Sequence, residues 1–163
     1  FVEAARVLKA SAPEWKFVLA GTADYYNPSS IASTQIQAWQ SEGIVEWLGH
    51  VDDITPLFHQ ARIVCLPSYR EGMPKALLEA AAAGCAVVTT DTTGCREAII
   101  PGVTGNLVPV RDSVALATSL LTLMRDRAQR ERYGYAGRKL AIERYGIEAV
   151  VEKTLEIYES LLN

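Results

Sequence analysis

Two segments of this chain, Ile63-Val-Cys-Leu66 and Cys85-Ala-Val-Val-Thr-Thr90, are apolar or small from end to end, without the alternation of a strand that faces water on one side. A strand of that kind is covered on both faces. Lys16-Phe-Val-Leu-Ala-Gly21, Val45-Glu-Trp-Leu48 and Asn106-Leu-Val-Pro109 are further short strand-like runs. Between them lie stretches with helical spacing: weakly over about 29 to 42, then Asp53 capping a short helix through Ala61, Pro74 to Ala83 stopped by Gly84, and Gly94 to Ile100. Buried strands separated by helices form a doubly wound parallel sheet, a Rossmann-like α/β layer. Ligands of such sheets sit at the carboxyl ends of the strands, which directs attention to the loops after Ala20, Leu48, Leu66 and Thr90.

The character changes after residue 111. Residues 1–111 read as the α/β core and 112–163 as C-terminal helices, opened by a cap at Asp112 or Ser113. The charges of Arg125 to Arg132 are mixed in sign and read as a solvated helix face. The segment from Ile147 to Leu162 gathers Val150, Val151, Leu155, Tyr158 and Leu162 on one side, which calls for a surface to cover. At the other end, Phe1, Ala4, Ala5 and Leu8 recur at helical spacing with no cap in front, so the chain is expected to be a fragment lacking an upstream strand.

Composition narrows the function classes. A chain of 163 residues is long enough for one real core, and a net charge of −3 gives no electrostatic reason to bind nucleic acid. No apolar run is long enough for a membrane span, and no signal peptide is visible. Cys65, Cys85 and Cys95 fit neither a zinc pattern nor a disulfide framework and read as small packed hydrophobes in a reducing, cytoplasmic setting. His50 and His59 stand in ordinary contexts, with no metal-ligand spacing.

The informative stretch is Ser68-Tyr-Arg-Glu71-Gly-Met-Pro-Lys-Ala-Leu-Leu-Glu79-Ala-Ala-Ala-Ala-Gly84, which begins at the carboxyl end of a strand. Pro74 suits the first helical turn, and the amides of Lys75, Ala76 and Leu77 then point out of the helix start, where amides and dipole together hold anions. Gly72 lets the backbone approach a ligand closely. Glu79 is the only charge between Ala76 and Ala86, on a helix apolar enough to be buried all round. Either it finds hydrogen-bond donors, such as the vicinal hydroxyls of a ribose, or it faces solvent on one edge. Glu71 projects from the loop over the helix start, as a dipole-stabilising surface acid or as an acceptor for sugar hydroxyls, with Arg70 and Lys75 near enough in sequence to balance charge.

Two glutamates so embedded resemble the signature of the group 1 glycosyltransferases, retaining enzymes of the GT-B fold. The flanks agree: Phe17-Val-Leu-Ala-Gly21, Leu48-Gly-His-Val51, Ala61 to Ser68, Val87-Val-Thr-Thr-Asp91-Thr-Thr-Gly94, Glu97 and Gly105-Asn-Leu-Val108. The resemblance implies the donor-nucleotide-binding domain, with the N-terminal acceptor domain outside this sequence. It makes Glu71 the catalytic-site acid that holds the donor hexose with the backbone of Gly72, Met73 and Pro74. It places the amides of Lys75, Ala76 and Leu77 at the diphosphate, Glu79 on the ribose, the backbone near Val51 at the nucleobase, and Gly21 where it keeps the adjoining loop clear. Pro74, having no N–H, offers only its carbonyl or its shape.

The donor implied is a UDP- or GDP-sugar, with UDP-hexose or UDP-N-acetylhexosamine favoured by the wording Arg-Glu-Gly-x-Pro-Lys, which is closest to transferases of bacterial surface polysaccharides. The acceptor implied is a glycan or lipid-linked molecule reached through the missing domain, and other parts of the full-length protein would make any contact with the inner face of the cytoplasmic membrane. No cofactor or metal is implied, since the nucleotide-sugar is itself a substrate. The fragment alone is expected to bind nucleotide weakly and to transfer nothing. Rival readings are a GT-B epimerase or inverting transferase, and a non-catalytic nucleotide-binding domain.

Overall fold

The computed structural model describes residues 1–23, 26 and 30–162. The elements follow in the order α1 (Val2–Ser11), β1 (Val18–Leu19), α2 (Ser33–Ser41), β2 (Glu46–Trp47), α3 (Thr55–Gln60), β3 (Ile63–Leu66), α4 (Lys75–Ala82), β4 (Ala86–Thr90), α5 (Thr93–Ala98), β5 (Gly105–Val108), α6 (Ser113–Arg125), α7 (Arg127–Tyr145) and α8 (Ile147–Leu162). Residue 29, where the first weak helical stretch was expected to begin, lies outside the described residues, as does residue 163. The fold is α/β with parallel pairing, as expected. The strands pair as two groups, β1 with β2 and β3-β4-β5, where one sheet was expected. The two groups share one apolar core, in which Phe17, Ile44 and Val45 meet Ala86, Val88 and Val108.

Strand β4 shows why the layer is doubly wound. All five of its residues are buried. Ala86 and Val88 enter the core formed with α1 and α6, where Ala5, Leu8, Leu116 and Leu123 pack. Val87, on the opposite face, joins Phe58, Leu77, Ala80, Cys95 and Ile99 beneath α3, α4 and α5. Period-two geometry sends neighbouring side chains to opposite faces, so a strand with both faces covered needs both kinds of residue to be apolar or small.

Helix α4 forms from alanine and leucine, the strongest helix formers, and stops at Gly84. Gly84 has φ +80, its N–H donates to the Ala81 carbonyl at 2.9 Å, and Cys85 N–H donates to Ala80 at 2.9 Å. That is a Schellman ending, with glycine at the left-handed position. Helix α7 locks this end. Arg138 donates to the Ala82 carbonyl at 2.7 Å, and a Cβ on Gly134 would come within 2.0 Å of the Gly84 oxygen. Arg130, also on α7, donates to the Leu123 carbonyl and, at 2.9 Å, to that of Met124 at the end of α6, and its guanidinium lies over the Trp15 ring. The charged run thus corrects the solvated reading in part: Arg127 and Glu131 form an exposed pair at 2.7 Å, whereas Arg130 turns inward to close a helix end.

The caps also sort themselves. Asp112, not Ser113, caps α6 by accepting from Ala115 N–H at 2.8 Å. Asp53 sits one residue before the cap of α3 and accepts from Thr55 N–H at 2.9 Å; the Thr55 hydroxyl foremost, and then this N–H, hold its carboxyl below the ordinary value. Helix α8 has no buried residue, and Leu155 and Tyr158 are exposed, so the apolar side noted in its sequence has no covering surface among the described residues. No helix among those residues is long and apolar enough to cross a membrane.

Candidate functional site

The loop of residues 67–74 leaves the carboxyl end of β3 and delivers the chain to the start of α4. It is tied from behind by β4: Thr89 Oγ1 donates to the Leu66 carbonyl at 2.7 Å, and Thr90 Oγ1 donates to the Ser68 carbonyl. Two threonines in an otherwise apolar strand therefore spend their hydroxyls on fixing where the loop departs, since a buried hydroxyl left unpaired is costly.

Pro74 is buried and occupies the cap position, with φ −74 and ψ 102, so it precedes the helix instead of forming its first turn. Its carbonyl accepts the Leu77 N–H at 3.0 Å. This corrects the amide set. The Leu77 amide is spent within the turn and its side chain is fully buried, while those of Lys75 and Ala76 have no acceptor among the described residues. The first turn of a helix leaves such donors over, and they carry its positive pole.

Glu79 is exposed, and α4 is not buried all round: Lys75, Ala76, Glu79 and Ala82 form an open edge while Leu77, Ala80 and Ala81 face the core. The carboxylate of Glu79 has no hydrogen-bond or ion-pair partner among the described residues, and neither has that of the half-buried Glu71. Glu79 thus lies on the open edge of α4, where its carboxylate is accessible to a ligand. That edge begins at the free amides, one turn away. Met73, Gly72, Arg70 and Lys75 are exposed around the same helix start.

Gly21 and Val51 belong to the other strand pair. Gly21 has φ +123, a conformation that favours glycine, and donates to the Gly49 carbonyl at 2.7 Å, while Trp47 Nε1 donates to the Gly21 carbonyl at 2.8 Å. The loops after β1 and β2 are thus fastened to each other, with Val51 half-buried just beyond. No hydrogen bond among the described residues joins them to the loop of 67–74. A broad groove of about 690 Å³ lies elsewhere, between β5 and α6, lined by Asn106, Pro109, Ala115 and Thr118.

The sequence of residues 1–126 matches the family described as glycosyl transferases group 1. The chain belongs to the group 1 glycosyltransferases. It is 38% identical over 128 residues to a phosphatidyl-myo-inositol mannosyltransferase of Mycobacterium leprae, covering 75% of this chain and 34% of that protein. It is 33% identical over 162 residues to the N,N'-diacetylbacillosaminyl-diphospho-undecaprenol alpha-1,3-N-acetylgalactosaminyltransferase of Campylobacter jejuni, covering 99% of this chain and 41% of that protein. The chain therefore spans only a third to two-fifths of these relatives. In fold it resembles Anabaena HepE, solved in complex with UDP, with a TM-score of 0.85 at 23% identity over 98% of this chain and 44% of that one.

Within this family member, the sequence pattern located the two glutamates and the helix that carries the second, but assigned no role to Gly94. Gly94 is buried at the start of α5, directly against the backbone of Glu71 and Gly72. Its only signal in the sequence is a glycine near a helix start, which by itself says nothing of what touches it. The cysteines are free, with Cys85 and Cys95 buried. Burial pushes the Cys65 thiol up to about 12, as suits a packed side chain and not a nucleophile.

Proposed function

We propose that this chain is the donor-binding domain of a retaining glycosyltransferase that takes a UDP-hexose or UDP-N-acetylhexosamine and serves a glycan or lipid-linked acceptor. The observation that carries the reading is the open start of α4, where two unspent amides stand between two carboxylates without partners. In this reading the Lys75 and Ala76 amides meet the diphosphate, and the helix dipole and the Lys75 and Arg70 cations offset the negative charge that grows as it leaves. Glu79 accepts from the ribose hydroxyls along the open edge. Glu71, with the backbone of Gly72, Met73 and Pro74, holds the hexose. The acceptor hydroxyl attacks from the face the diphosphate leaves, so configuration is retained.

The sugars named for the two relatives, mannose and N-acetylgalactosamine, favour a hexose or N-acetylhexosamine donor; the UDP in the HepE complex belongs to that protein. Titration calorimetry of the chain with UDP, GDP, UDP-glucose and UDP-N-acetylglucosamine tests the reading. Heat with the uridine nucleotides, lost in Glu79→Ala, supports it. Tighter binding of GDP than UDP redirects it to GDP-sugars, and no heat with any nucleotide refutes it. Retention is checked by nuclear magnetic resonance of the anomeric centre in the product of a full-length protein carrying this chain. An inverted product reassigns the mechanism.

A further inference from the structure

We propose that the β4–α5 segment is a two-point backstop for the donor loop: Thr90 and Gly94 are positioning residues that fix the Glu71–Gly72 peptide, and so set how well the sugar half of the donor is held. The inference rests on the donor-binding reading above.

The first point is Thr90, 2% exposed, whose hydroxyl donates to the Ser68 carbonyl. It is the last residue of β4, so the bond reaches across to the loop just after β3 ends. The second point is Gly94. Its φ lies outside the left-handed region, so glycine is not required there for its conformational freedom. It is required for space. A Cβ at this position would stand 1.7 Å from the Gly72 oxygen, 2.5 Å from the Gly72 carbonyl carbon and 2.7 Å from the Glu71 oxygen. All three are backbone atoms and cannot rotate away as the tip of a side chain could. To restore an ordinary carbon–oxygen contact of about 3.3 Å, the peptide would have to move by about 1.6 Å.

The consequence is local. Helix α4 is anchored at its far end by the Schellman turn, Arg138 and Gly134, and at its start by the buried Pro74 and Leu77. Lys75, Ala76 and Glu79 therefore keep their places when the preceding loop shifts, while Glu71 and Gly72 do not. The nucleotide half of the site and the sugar half are held by different parts of the fold, and the backstop serves the sugar half.

The test measures affinities for UDP and for UDP-glucose or UDP-N-acetylglucosamine, whichever binds the chain more tightly. The variants are Gly94→Ala, Thr90→Val and, as a control that destabilises without touching the loop, Leu123→Ala in the α6 core. All are assayed below the melting temperature of the weakest. A displacement beyond 1 Å in Gly94→Ala is expected to weaken the sugar nucleotide relative to UDP by about tenfold or more, with UDP itself within about threefold. Thr90→Val, which keeps the shape and removes one tether, is expected to shift the same ratio by about threefold. The control leaves the ratio unchanged. If Gly94→Ala does not fold, Thr90→Val decides alone. An unchanged ratio in the folded variants, or an equal loss for both ligands, overturns the inference while leaving the donor-binding reading in place. A wild type that binds neither nucleotide overturns both.

Discussion

Glu79→Ala separates binding from folding, because the structure gives this carboxylate no partner to lose. Glu79 is exposed on the open edge of α4, and nothing among the described residues donates to it. Alanine is the better helix former, so the variant should match the wild type in stability within about 0.5 kcal/mol. With a nucleotide bound, the same carboxylate accepts from two ribose hydroxyls. Charge-assisted hydrogen bonds contribute about 1.5–3 kcal/mol each when shielded from water; at an open surface, where water competes, about 1–1.5 kcal/mol each is expected, so the pair is worth about 2–3 kcal/mol. UDP should then bind about 30- to 150-fold more weakly. Calorimetry gives the affinity and a thermal melt gives the stability. A second ligand sharpens the assay: 2′-deoxyuridine diphosphate should bind the wild type more weakly than UDP but bind Glu79→Ala no differently from UDP. Equal UDP affinity in variant and wild type would refute the ribose contact. A fall in melting temperature without ligand would refute the premise that the side chain has no structural duty.

Three further outcomes follow from the packing. Gly134→Ala places a methyl group 2.0 Å from the Gly84 oxygen and should cost about 3 kcal/mol in urea unfolding, with the end of α4 displaced from α7. Arg130→Ala uncovers the Leu123 and Met124 carbonyls and the Trp15 face together; a loss of about 1.5–3 kcal/mol is expected, well above that of Arg127→Ala, whose ion pair is solvated. Cys65 sets an alkaline limit. Its folded value of about 12 lies above the ordinary 9.0, so the unfolded chain releases its proton first and stability falls between those values, by up to about 4 kcal/mol. By about pH 10.5 the wild type should have lost roughly 2 kcal/mol more than Cys65→Ala, measured by urea unfolding at each pH; equal losses would show that the thiol is not held protonated.

Much of the layer is legible in local signals. The unalternating runs both contain strands, at 63–66 and 86–90; β4, central in its group, is buried on both faces, whereas β3, at the edge, is half-buried throughout. Gly84 ends α4 and Asp112 opens α6 through interactions within a few residues of themselves, which is why their types announce their positions. The loop and glutamates between Ser68 and Gly84 were found by the same token, since the motif is contiguous and its helix is local.

What the pattern could not supply depends on residues far apart in the chain. An apolar helix with one acid reads the same whether that acid points at a neighbour or at solvent; only the placement of α4 against β3, β4 and α7 put Glu79 on the open edge. The Leu77 amide looked available because a motif does not show that the Pro74 carbonyl turns back to meet it. Arg130 looked like solvated charge because the carbonyls it closes belong to α6, and nothing beside Arg138 in the sequence points to the α4 carbonyl it meets. Gly94 and Gly134 are needed for the backbone that passes within contact distance of them, at residues 71–72 and 84. Helix and strand periods report which side of an element is apolar. Which neighbour covers it, and which surface stays open to a ligand, is decided when the elements close-pack, and there the separations that matter are in space and not in sequence.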